Sequence, residues 1–120
     1  MKSLDKLYLQ IGATWLVLGM VLGITMGIAE DFKFAPLHAH INLLGFACHA
    51  LFGLAYRVWP ALAGASLAVV QFWIFVISTP VMAIGLYFTL TGGPVLPTII
   101  GSLGLLIGAG LFCTMVWRLP

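Results

Sequence analysis

The sequence predicts an all-α integral membrane protein, a four-helix bundle with its N- and C-termini cytoplasmic. Three observations carry this: the near-absence of charge, four long apolar runs set apart by polar or Pro/Gly breaks, and the uneven distribution of Lys and Arg between those breaks. Of the 120 residues 62% are hydrophobic and only 7% are charged, whereas a soluble domain carries about 25% charged residues. Mean hydropathy is +1.17. No charge at all falls between Arg57 and Arg118, a gap wide enough for two crossings of about 20 residues each.

The first apolar run spans about residues 8–29 and closes at Glu30-Asp31-Phe32-Lys33. Lys2 and Lys6 before it resemble the n-region of a signal peptide, but the run is too long for a signal core, so it is read as a retained helix. The second covers about 36–58, from Pro36 to Arg57-Val58-Trp59-Pro60. A third, about 65–90, stops at Thr91-Gly92-Gly93-Pro94, and a fourth covers about 96–117. No period-two alternation is present, which excludes membrane β-strands. The four segments form one domain, residues 1–120.

Positive charge orients the bundle. With the N-terminus inside, Lys2, Lys6, Arg57 and Arg118 are cytoplasmic and Lys33 is outside. The expected location is therefore the cell (inner) membrane, multi-pass, with the lipid bilayer as the main partner. Net charge is only +2, which gives no basis for binding nucleic acid. Cys48 and Cys113 form no CxxC pattern and read as small buried apolar residues. Glycines at four-residue spacing, Gly19, Gly23 and Gly27 in the first run and Gly104 and Gly108 in the fourth, allow close helix approach, either inside the bundle or in a dimer.

The chemistry concentrates in the second run, which holds all three histidines, His38, His40 and His49. Ionisable groups inside a bilayer are costly and mark function by default, and imidazole is the commonest ligand for metals and haem iron. At about 100° per residue, His38, Asn42, Gly45, His49, Gly53 and Tyr56 share one face, while His40 lies opposite. His38 and His49 are roughly 16 Å apart along the axis, too far for one ion. Gly45 between them leaves space in which a flat macrocycle can approach the backbone, with a histidine as axial ligand. Haem b needs no covalent attachment. A zinc site does not fit, because His-x-His on a helix points its rings apart and no carboxylate or second cysteine is adjacent. HExxH, P-loop and Ser/His/Asp patterns are absent. The simpler reading is that the histidines hydrogen-bond to neighbouring helices.

Pro36-Leu37-His38-Ala39-His40-Ile41-Asn42-Leu43-Leu44-Gly45-Phe46, with Phe52-Gly53-Leu54-Ala55-Tyr56 and Pro60 after it, resembles the second helix of haem–copper oxidase and nitric-oxide reductase catalytic subunits. Gln71-Phe72-Trp73 and Met82-Ala83-Ile84-Gly85 are similar to that family's third helix. The resemblance covers about residues 36–90; the fourth helix fits loosely and the first hardly at all. It implies haem b (iron) as cofactor and an early histidine of the second helix as its ligand. Pro-Leu-His points to His38 and His-x-Asn-Leu-Leu to His40; the shared face favours His38. His49 has no firm counterpart and stands as a second site or a packing residue. The family's copper ligands, high-spin haem ligand and second low-spin ligand come from later helices. This chain offers no histidine after His49, so on its own it lacks the groups for oxidase or reductase chemistry. The expectation is a homodimer in which each subunit gives one histidine to a shared haem, acting in electron transfer with a redox partner protein or in binding a diatomic gas. Tyr56 and Arg57 on one side, or Lys33 on the other, would meet propionates or simply anchor at the membrane interface. The alternative is a non-catalytic assembly or accessory module.

Overall fold

The computed structural model describes residues 3–120; Lys2, one of the four cations expected on the inner side, lies outside them. The described chain is helical and contains no strand. Helix α1 is Leu4–Ala29, α2 is Ala35–Val58, α4 is Ala68–Leu90 and α5 is Leu96–Trp117, and each is long and apolar enough to cross a membrane. A single short turn, α3 (Pro60–Ala63), lies between α2 and α4. The molecule measures 49 × 27 × 22 Å, and its long axis matches a bilayer with its headgroup layers.

The predicted boundaries hold to within four residues. Helix α1 starts earlier than expected because Asp5 and Lys6 fit its first turn: an acidic residue there complements the helix dipole, and Asp5 also meets Arg57 of α2 at 3.2 Å. Helix α4 starts later because Pro60 opens its own short turn. Glu30 ends α1 in the left-handed region at φ 52°, with its N–H donating to the Gly27 carbonyl. Gly92, at φ +87°, allows the tight turn from α4 into α5.

The bundle consists of two helical hairpins, α1–α2 and α4–α5, each closely packed within itself and touching the other over a smaller surface. At the end carrying both termini, Tyr8, Phe52, Tyr56, Phe72, Phe75, Leu105 and Met115 form the main core. Rings there meet edge-on, as in Tyr8 on Phe72 at 4.8 Å and Phe52 on Phe75 at 4.9 Å, an arrangement that adds to plain burial. The opposite end has only the small cluster of Leu37, Ile41 and Ala83. Most remaining large apolar side chains, such as Val17, Ile24, Leu51, Ile84 and Leu106, are exposed. On a soluble protein so much exposed apolar surface would cause aggregation; here it is the lipid-facing surface of the spans.

Candidate functional site

Helix α2 is not uniform. Its central stretch, Ile41–Cys48, is π-helical, with the histidine pair His38/His40 before it and His49 after it. π-Helical turns are uncommon and concentrate at functional sites. The looser winding places the Leu44 carbonyl, five residues back, within 2.8 Å of His49 Nδ1.

The shared face predicted for α2 exists, and α1 covers it. His38 Nδ1–H donates to the Gly19 carbonyl at 2.8 Å. Because a carbonyl only accepts, Nε2 carries the lone pair, which receives Asn42 Nδ2–H at 3.2 Å. Both nitrogens of His38 are thus engaged. The ring lies over Gly23, where a Cβ would sit 2.7 Å from His38 Cε1. Asn42 Oδ1 has no conventional donor and rests against Gly19, in the manner of the weak Cα–H···O contacts found between helices.

The space over Gly45 is filled. The Trp15 side chain of α1 occupies it, with Cγ 2.7 Å from where a Cβ would be. The macrocycle expected there has its place taken by an indole. Residue pattern alone does not pair Trp15 with Gly45, since only the crossing of α1 and α2 brings them together.

His49 is fully buried. Its Nδ1–H donates to Leu44, and its Nε2 has no partner among the described residues. Tyr8 and Phe75 flank the ring at 5.6 and 5.1 Å, so a flat cofactor reaches Nε2 only if α1 and α4 separate. Tyr56 is also buried, and its hydroxyl donates to Gln71 Oε1 at 2.7 Å. Tyr8 donates to the same oxygen at 2.6 Å, and Gln71 Nε2–H donates to the Gly108 carbonyl at 3.2 Å. One buried glutamine therefore ties all four spanning helices together. A lone Gln in a charge-free span was the signal for it; its role as the bundle's polar node was not legible in the sequence.

His40 differs from the other two. It is exposed on the opposite side of α2 from His38. Its Nδ1–H donates to the Pro36 carbonyl at 2.6 Å, and Nε2 makes no hydrogen bond to any described residue. A backbone carbonyl on one ring nitrogen is the usual way of fixing the tautomer that leaves the other free to ligate a metal. His40 opens a groove of about 310 Å³ between α2 and α5, which continues along Leu44, Cys48 and Phe52 and is bordered by Ser102, Leu106 and Ala109. The structure thus brings His38, Asn42, Gly45, His49 and Tyr56 onto the packed seam and leaves His40 as the accessible imidazole. Among the described residues no cluster of three or more His, Cys, Asp or Glu side chains could hold a bare metal ion.

The fold and this site define a helical, multi-pass membrane protein with one accessible imidazole facing an apolar groove. No protein-family profile, curated protein or solved structure matches the chain.

Proposed function

We propose that the protein is a haem b-binding membrane protein of the cell (inner) membrane, with His40 as the axial ligand contributed by each chain of a homodimer. The observation that carries this reading is the state of His40: Nδ1–H anchored on Pro36, Nε2 bare, and an apolar groove beside it. The residues present suit the group on chemical grounds. A neutral imidazole with a fixed tautomer is a haem ligand, and Leu44, Phe52, Leu106 and Ala109 offer apolar surface to a porphyrin face. His38 and His49 serve packing in this reading, since α1 and α4 enclose them. Haem iron held in this way supplies one-electron transfer, or binding of a diatomic gas where one coordination position is open.

One chain presents one such histidine, so the second axial nitrogen would come from His40 of another copy. Lys6, Arg57 and Arg118 at the end carrying both termini, with Lys33 at the other, support an orientation with both termini cytoplasmic. A redox partner protein follows from the electron-transfer role. A second reading, a non-catalytic assembly or accessory module, is favoured by the hydrogen bonds that occupy His38 and anchor His49.

The test is a reduced-minus-oxidised spectrum of protein purified in detergent with haem available. Sharp low-spin b-type bands, retained in His38→Ala and His49→Leu and lost in His40→Ala, are expected. A colourless protein points to the assembly module. Bands that survive His40→Ala overturn the ligand assignment, and haem bound to a strict monomer overturns the shared site. Added carbon monoxide should change a bis-histidine spectrum little.

A further inference from the structure

A second concavity lies away from all three histidines, where the start of α1 crosses the end of α2. It is about 310 Å³, and Lys6 and Arg57 stand at its edge. Gly53 is part of its lining, where the two helices come close: a Cβ there would lie 2.8 Å from the Asp5 carbonyl oxygen. Leu9 and Leu54, both about half exposed, form the apolar walls.

We propose that this cleft binds the phosphate of one anionic phospholipid, with an acyl chain lying along Leu9 and Leu54. The charges are complementary. Lys6 and Arg57 face one carboxylate, Asp5, which leaves the cleft with a net positive charge. Asp5 meets Arg57 through a single guanidinium nitrogen, NH1, at 3.2 Å. That contact leaves most of its five donors for a phosphate, which arginine grips as a fork. The occupant is a lipid and not free phosphate because the cleft continues from its charged edge onto Leu9 and Leu54, on the apolar flank of the two spans. Basic pockets between spanning helices are where anionic headgroups bind. The inference is independent of the haem reading, since His40 lies near the opposite end of α2.

The experiment is native mass spectrometry of the full chain released from detergent, with phosphatidylglycerol or phosphatidylcholine added at equal concentration. One phosphatidylglycerol per chain, retained in preference to phosphatidylcholine, is expected. Lys6→Gln and Arg57→Gln should each lower that preference about five-fold, the worth of one interfacial cation. Arg57→Lys should lie between Arg57→Gln and the parent, and Lys33→Gln at the far end should leave the preference unchanged. Equal retention of both lipids overturns the site. So does an equal loss in Lys33→Gln, which would mean bulk charge alone. Inorganic phosphate that displaces the lipid would show that the apolar walls contribute nothing, and would overturn the assignment to a phospholipid.

Discussion

In the half of the bundle away from the termini, Gly85 and Gly101 of the α4–α5 seam meet backbone, while Gly19, Gly23 and Gly45 of the α1–α2 seam meet side chains. Nearer the termini the pattern mixes, with Gly12 and Gly53 against backbone and Gly104 and Gly108 against Ser78 and Phe75. A Cβ on Gly101 would run into the Met82 backbone, and one on Gly85 would lie 2.5 Å from the Thr98 nitrogen. In the first hairpin, Gly19 seats Asn42, Gly23 seats His38 and Gly45 seats Trp15. The same residue type at similar spacing thus builds two kinds of contact. In α4–α5, at Gly85 and Gly101, it brings two backbones together. In α1–α2 it provides recesses in which polar and aromatic side chains lie flat while the helices stay close. All three histidines lie on α2, in the hairpin where Gly19, Gly23 and Gly45 make room for side chains.

The contrast can be tested from the largest expected effect downward. Gly101→Leu should be the most damaging change, above about 3 kcal/mol in unfolding from mixed micelles, because the obstructing atoms are backbone and cannot rotate away. Gln71→Leu should follow at about 2 kcal/mol, from three lost hydrogen bonds at roughly 0.6 kcal/mol each in a membrane interior; the same unfolding assay measures it. Gly23→Ala should cost only about 1 kcal/mol, since the His38 ring can shift. If it costs as much as Gly101→Ala in parallel denaturation curves, the two seams are alike and the comparison fails. His49→Leu should stay within about 0.5 kcal/mol of the parent, or stabilise, because it removes a buried nitrogen that has no partner. A large loss in its thermal midpoint would show that the Nδ1–H bond to Leu44 outweighs the unpaired Nε2.

The glycine stripes left two readings open, packing inside the bundle or a dimer, and the packing favours the first. Gly104 and Gly108 are covered by Ser78 and Phe75 of the same chain, and Gly19 and Gly23 by α2. Only Gly27 and Gly110 of the two helices' glycines face open space. These stripes are therefore inside the bundle, and a homodimer would have to form on another face, for which the groove beside His40 is the proposed place.

Much was legible from residue pattern alone. Four spans and their breaks follow from where charge, Pro and Gly interrupt apolar runs, because hydrocarbon requires about 20 residues with internally satisfied backbone. That α2 is the candidate for the chemistry follows from the cost of imidazole in a bilayer. His40 pointing away from His38 also follows, from two residues of helical rotation. The sequence favoured His38 as ligand, because a shared face with Gly45 looks like an open channel when α2 is considered alone. Tertiary structure reverses the inference: that face is where α1 packs, so His38 is hydrogen-bonded and Gly45 holds Trp15.

The Gln71 node likewise depends on partners far away in the chain, from Tyr8 at one end to Gly108 at the other. Periodicity reports which residues share a face, because that is a property of one helix. It does not report whether the face is open or covered, because that is decided by a second helix. For this chain the sequence by itself determined the membrane-spanning helices and the helix that carries the histidines. The tertiary structure decided that His40, and not His38 or His49, is the imidazole with a free nitrogen facing an open groove.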